Sequence, residues 1–184
     1  MKSPTINRTL LHACCGPCLT VPLERRDKKE LVVFWFNPNI EPAAEHSKRL
    51  RTLKQLQSQI PFELISDYDY EKENRRWHEA ITGLENEKEG GKRCKECIKF
   101  RFVETHKKME ELGLDGFETT LSVSRHKSTS MINKIGKLIS DTFIENNFKL
   151  RGGDNRSIEL SRQYRLYRQK YCGCGYSNPK NRLN

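Results

Sequence analysis

The chain has 184 residues, 35% hydrophobic and 32% charged, with a mean hydropathy of −0.83 and a formal net charge of +10. That length suits one domain with a core of its own, and no run approaches the roughly 18 consecutive apolar residues of a membrane helix. The positive balance points toward a polyanionic partner, nucleic acid first, against the plainer reading of a solvated Lys/Glu-rich surface.

The opening "MKSPTINRTLLHACC" has no long apolar core ahead of a small-residue cleavage site, so no secretory signal and a cytoplasmic location are expected. "RTLLHACC" reads as a strand, which Gly16 and Pro17 turn into a helix running to about Lys29. "LVVFWF", residues 31–36, is a continuous β-rich apolar run and reads as a strand buried on both faces. "NPNIEP" is a turn, and Pro42 suits the first turn of a helix that carries Leu50, Leu53, Leu56 and Ile60 at helical spacing before Pro61 stops it. "FELIS", residues 62–66, is a third strand, "DYDY" its exit, and a polar helix with Trp77 follows. "GLENEKEGGKR" reads as a loop delivering Cys94, and Cys97 opens a helix ended by Gly113. "GFETTLSVS" is a fourth strand with its exit, residues 131–147 are expected to be helical, and "KLRGGDNR" is a Gly-rich basic loop. Ser157 then reads as the N-cap of a helix to about Tyr171, and a tail, "CGCGYSNPKNRLN", closes the chain.

Strands alternating with helices predict an α/β fold with a parallel, doubly wound sheet and helices on both faces. Ligands of such sheets bind beyond the C-terminal strand ends, where strand order reverses. Cys14 and Cys15, "NPN", "DYD" and "SVSRHK" all fall just past strand ends, so the fold predicts that they share one rim.

The seven cysteines fall in three groups: Cys14, Cys15 and Cys18; Cys94 and Cys97; Cys172 and Cys174. In a reducing compartment such groups point to metal or redox chemistry and away from structural disulfides. Cys15-x-x-Cys18 with Cys94-x-x-Cys97 has the spacing of a structural zinc site, and iron–sulfur clusters use the same four-thiolate supply. One zinc leaves three thiols idle, so the count favours a cluster plus a redox-active pair. A C-x-C pair can close a strained, labile disulfide.

Six segments make the chain resemble the QueH-type epoxyqueuosine reductases over nearly its whole length. They are "HACCGPC", "FNPNIEPAAEHSKR", "DYD", "RCKECIKFR", "TTLSVSRHKS" and "GGDNRSIELSRQYRLYRQKYCGC". The resemblance implies a Rossmann-like, adenine-nucleotide-hydrolase-like fold with a helical C-terminal part and a cysteine-bearing tail. It implies one metallocluster-containing catalytic domain over residues 1–184. The activity implied is the last step of queuosine synthesis, the removal of the epoxide oxygen from epoxyqueuosine at the wobble position of tRNA, independent of cobalamin. Carried onto this sequence, the family's 4Fe-4S cluster falls to Cys14, Cys15, Cys94 and Cys97, and Cys172 and Cys174 become the redox-active pair. Cys18 is left over. With Asp69 it is a candidate for an additional mononuclear iron and Asp69 a candidate catalytic acid, although on residue type Asp69 is first a helix N-cap. "HACCGPC" stands where related folds carry a phosphate loop, so no ATP is expected.

Tyr68 and His12 are further candidate acids, each with a duller role in the core. The RNA-contacting candidates are Arg125, His126, Lys127, Arg151, Arg156, Arg165 and Arg168, with Tyr164, Tyr167 and Trp77 as bases' stacking partners. An electron donor is required, and no membrane. Three rivals remain at this point. A structural-zinc RNA-binding module leaves the C-x-C pair idle, a thioredoxin-type oxidoreductase leaves Cys94 and Cys97 unexplained, and an adenylating RNA-modifying enzyme lacks its phosphate loop.

Overall fold

A computed structural model of the chain describes residues 8–177, so the end of the expected tail, from Asn178 on, lies outside the described residues. Four parallel strands form one sheet in the order β3-β2-β1-β4: β1 (Thr9–His12), β2 (Leu31–Phe34), β3 (Glu63–Ile65) and β4 (Gly116–Thr119). β1 is central, with Leu10 opposite Val32 on one side and Phe117 on the other. Every residue of β1, β2 and β4 is buried, and β2 accordingly reads as an unbroken apolar run, whereas β1 and β4 also bury Thr9, His12, Glu118 and Thr119.

Alternation along the strands divides the core. Leu11, Ala13, Leu31, Val33 and Trp35 face α1 (Gly16–Arg25) and α2 (Ala43–Gln59), packing on Leu19, Leu23, Leu53 and Leu56. Leu10, Val32, Phe34, Phe36 and Phe117 face the other way, onto Ile98, Phe102 and Met109 of α4 (Lys92–Glu111) and Ile132 of α5 (Thr129–Ile139). Helices on both faces make the sheet doubly wound. α3 (Tyr70–Ala80) precedes α4, and α6 (Gly153–Gln163) packs on α1 through Val21, Phe148 and Leu160. Among the described residues, no helix is long and apolar enough to cross a membrane.

The structure redraws four expected boundaries. α1 stops at Arg25, because Asp27 turns extended and caps a separate 3-10 turn at Lys28–Glu30. Cys94 does not ride a loop: it lies with Cys97 inside α4, which starts after Gly91. The expected helix over 131–147 is α5 only to Ile139. Beyond it the chain pairs with the edge of β4, with Phe117 N–H donating to Thr142 O and Ile144 N–H to Phe117 O, and it buries Phe143 among Phe102 and Phe117. Ser157 is not an N-cap: α6 begins at Gly153, and the Ser157 hydroxyl donates to Pro17 O of α1 at 2.8 Å. Arg165, at φ 52°, ends that helical path well before Tyr171.

Candidate active site

β1 and β4 are neighbours whose chain connections leave in opposite directions, so their C-terminal ends flank the point where strand order reverses. Beyond them opens a cleft of about 770 Å³ lined by Cys14, Cys18, Arg101, Lys127 and Cys172, among others. The expectation that separate strand exits share one rim is met by Cys14, the "NPN" turn and the 124–127 segment, all of which line it.

Cys14 leaves β1 with its N–H on Thr120 Oγ1 at 3.0 Å. Cys15 is extended and stands at the N-cap of α1, where its Sγ accepts from the Cys18 N–H at 3.3 Å. Gly16 lets this first turn lie against α2, since a Cβ there would sit 3.2 Å from Thr52 Cγ2. The Sγ atoms of Cys14, Cys15 and Cys18 lie within 4.8 Å of one another. Cys15 is the thiol of the trio that ionises most readily. Hydrogen bonds from Cys14 and then Cys18 hold its ionisation well below the ordinary thiol range, and the same contacts hold the Cys18 thiol up.

Of the other four thiols, Cys172 lines the cleft, and Cys94, Cys97 and Cys174 are not among its lining residues. Cys94 and Cys97, three residues apart, share one face of α4, and Gly90 N–H donates to Cys94 Sγ at 3.1 Å. Cys97 is buried with Cys174, Trp77 and Ile81. Burial pushes the Cys97 and Cys174 thiols up. The tail is fixed to α2 and to the chain before it: Glu41 N–H donates to Gly173 O at 2.8 Å, and Arg49 donates to the Cys172 and Tyr171 carbonyls. All seven cysteines are free thiols.

Two cations stand between these groups. Arg101 is 3% exposed, with Nε on Cys97 O at 3.2 Å and Nη1 on Asn37 Oδ1 at 3.4 Å. Lys127 Nζ donates to Cys172 Sγ at 3.2 Å. Burial works against both charges. The thiols outweigh it, Cys97 and Cys172 first at Arg101 and Cys172 first at Lys127, and both are held more firmly protonated than usual. Neither forms an ion pair with a carboxylate among the described residues. A buried cation without a carboxylate is costly unless something else answers it, and here the groups that face both cations are cysteine sulfurs.

The remaining expected residues divide. Asp69 is exposed, caps α3 through a hydrogen bond from Lys72 N–H at 3.0 Å, and is not among the residues lining the cleft. His12 is fully buried, with Nε2 on Phe36 O and Nδ1 on Thr119 Oγ1; burial lowers its pKa to about 4, so it is neutral. The Tyr68 hydroxyl donates to His46 Nε2 at 2.7 Å and accepts from Asn37 N–H, holding the turn after β2. Arg125, His126, Lys127 and Arg168 line the cleft; Arg151, Arg156 and Arg165 do not. Arg156 is taken by Glu24 and Glu159, and Arg168 Nη1 reaches Ser157 O and Ser161 Oγ. Trp77 is fully buried, which corrects its expected stacking role, and Tyr167 donates to Glu45 under Lys48. Arg49 and Arg101 are functional-site residues that the sequence reading passed over. The signal for Arg101 was its place four residues after Cys97, one turn along the same helix face.

A donor set made only of thiols, answered by buried cations, suits an anionic iron–sulfur centre. The family described as epoxyqueuosine reductase QueH matches residues 9–180 of the chain. The epoxyqueuosine reductase QueH of Thermotoga maritima is 34% identical over 174 residues, covering 91% of this chain and 88% of its own length. That of Streptococcus pyogenes serotype M1 is 34% identical over 176 residues, with 91% and 69% covered. That of Haemophilus influenzae is 34% identical over 182 residues, with 93% and 71% covered.

Proposed function

Because the chain belongs to the epoxyqueuosine reductase QueH family, we propose that it reduces epoxyqueuosine to queuosine at the wobble position of tRNA, in the cytoplasm and without cobalamin. The observation that supports this best is one cleft at the strand switch point lined by three free thiols, Cys14, Cys18 and Cys172, together with the buried Arg101 and the half-buried Lys127.

In this reading Cys14, Cys15, Cys94 and Cys97 hold a 4Fe-4S cluster, and Cys172 with Cys174 form the dithiol. Tetrahedral metal–thiolate bonds of about 2.3 Å place ligand sulfurs about 3.8 Å apart. The compact Cys14–Cys15–Cys18 trio is near that size, which favours Cys18 in a mononuclear site beside the cluster. Asp69, committed to its cap, is the weaker half of that pair and of the acid role.

The overall change balances with the dithiol as reductant. Two C–O bonds of the epoxide break, a C=C bond forms, and oxygen leaves as water. Cys172 and Cys174 give up two protons and two electrons and join as a disulfide, which an external electron donor reduces again. The cluster, when bound, supplies single-electron transfer. The chain's own part is positional. Lys127 and Arg101 hold charge at the thiols, the Glu41–Arg49 clamp fixes the dithiol, and Arg125, His126 and Arg168 lead the tRNA to the cleft, with Arg151, Arg156 and Arg165 as outlying contacts.

The test is anaerobic purification followed by iron, sulfide and zinc analysis, with turnover of tRNA carrying epoxyqueuosine. Stoichiometric iron and sulfide with turnover are expected, and Cys172→Ser should stop multiple turnover. One zinc per chain, no sulfide and no product would overturn the reading in favour of a structural-zinc RNA-binding module.

A further inference from the structure

Two amide oxygens at the cleft have no hydrogen-bond partner among the described residues. Asn39 lines the cleft and is 2% exposed, yet its Oδ1 is buried without a hydrogen-bond partner. Gln169 lines the same cleft, and its Oε1 is buried and equally unpartnered. Leaving a buried acceptor unpaired opposes folding, and nearly all such groups in proteins are satisfied. Two at one cleft call for a ligand that brings the donors.

Their positions say which part of a ligand. Asn39 sits in the turn closed by Ile40 N–H to Asn37 O at 3.1 Å. Its neighbour Asn37 is fully used, giving Nδ2 to Ala13 O and taking Arg101 Nη1 on Oδ1. Ile40, on its other side, packs against Gly173, between the two tail cysteines. Asn is common in turns because its side chain bonds local backbone, but the Asn39 side chain makes no such bond, so turn chemistry does not account for it. Gln169 lines the cleft together with Cys14, Cys18 and Cys172. Both oxygens therefore border the thiols, where the reacting ring must lie, and not the basic outer edge where a phosphate backbone would run.

We propose that Asn39 and Gln169 form a hydroxyl-recognition subsite: Oδ1 and Oε1 accept hydrogen bonds from the ring hydroxyls of the epoxide-bearing carbocycle and so fix the epoxide against the thiols. This rests on the epoxyqueuosine reading above. A site built to pair a substrate hydroxyl rejects the analogue lacking it, because its buried groups then stay unpaired.

The experiment is anaerobic binding of the holoenzyme to two tRNAs, one carrying epoxyqueuosine and one whose wobble base lacks the hydroxylated ring. The wild type should prefer the first. Asn39→Ala and Gln169→Ala should each bind it about five- to tenfold more weakly and bind the second unchanged. The Tm of Asn39→Ala without tRNA should not fall, since no internal hydrogen bond is lost. Variants that keep the wild-type preference or that weaken on both tRNAs alike, or an Asn39→Ala variant that loses Tm, would overturn the subsite. Wild-type protein that turns over epoxyqueuosine while the variants bind normally removes the subsite alone; wild-type protein that turns over nothing removes the substrate reading.

Discussion

Arg49 Nη1 donates to the carbonyl oxygen of Cys172 at 3.0 Å, so a helix on one face of the sheet decides where a tail cysteine stands. The guanidinium is 2% exposed and fully occupied. Nε lies on Glu45 Oε1 at 2.7 Å, Nη2 on Tyr171 O at 3.3 Å, and the plane lies over the Tyr171 ring. Arg49→Met strands two carbonyls and leaves Glu45 with the Tyr167 hydroxyl alone, at a cost of about 2–4 kcal/mol. Denaturant titration should show the lower midpoint, and anaerobic alkylation of Cys172 and Cys174 should quicken. Gly173→Ala should act in the same direction, because Gly173 has φ +125° and a Cβ there would sit 2.8 Å from Arg49 Nη1. An unchanged midpoint and unchanged alkylation in both variants would remove the clamp.

Acid should weaken the fold through His46. Its Nε2 accepts from Trp35 Nε1 at 3.2 Å and from the Tyr68 hydroxyl, and burial, with Arg49 adding to it, lowers its pKa from 6.5 to about 4. Between those values the unfolded chain binds a proton that the folded chain refuses, so stability falls as pH drops. This contribution is complete above about pH 6.5, declines toward about pH 4, and has no further effect below. His46→Gln should show a shallower loss of urea midpoint across the window. The slope stays finite because His12 shifts in the same direction. Equal slopes in variant and wild type would exclude His46 as a source.

Strand β2 was legible because it is apolar end to end, β1 and β4 because a short apolar stretch in each runs into turn residues, and the rim followed from the strand–helix alternation. The 140–147 segment was not, since nothing local distinguishes a helix from a chain drawn out to pair with β4 and bury Phe143. Clusters of thiols could be read from spacing, but their grouping could not. Cys18 joins Cys14 and Cys15 because an N-cap and the third residue of a helix lie together, while Cys94 and Cys97 join the tail through contacts over seventy residues distant. Arg101 and Lys127 looked like two more cations in a basic chain; only burial shows that they answer sulfur.

Nucleic-acid contacts should be divided by what already holds each cation. Arg125 is half-exposed at the cleft, with Asp154 at 3.3 Å, whereas Arg156 lies across Glu24 and Glu159. Arg125→Ala should weaken tRNA binding and reduce the slope of log affinity against log salt by about 1. Arg156→Ala should leave both unchanged, its exposed pairs contributing about 0–1 kcal/mol to stability. Filter-binding isotherms at several salt concentrations decide this, and the reverse ranking would move the RNA path onto α6.

Arg101 carries the strongest consequence for the metal site. Its charge is surrounded by Cys97, Cys172, Cys14 and Cys94, and its two hydrogen bonds go to uncharged oxygens. Arg101→Met removes a positive charge beside the thiols of the proposed iron–sulfur centre. A full charge at this range and an effective dielectric near 20 is worth about 1–2 kcal/mol, or ~50–100 mV for a one-electron couple. The variant should hold less iron and sulfide per chain, and the centre that remains should have a more negative potential in an EPR-monitored titration. Arg101→Lys keeps the charge and should restore most of the potential. A variant with wild-type iron, sulfide and potential would show that Arg101 serves only to tie Asn37 to α4.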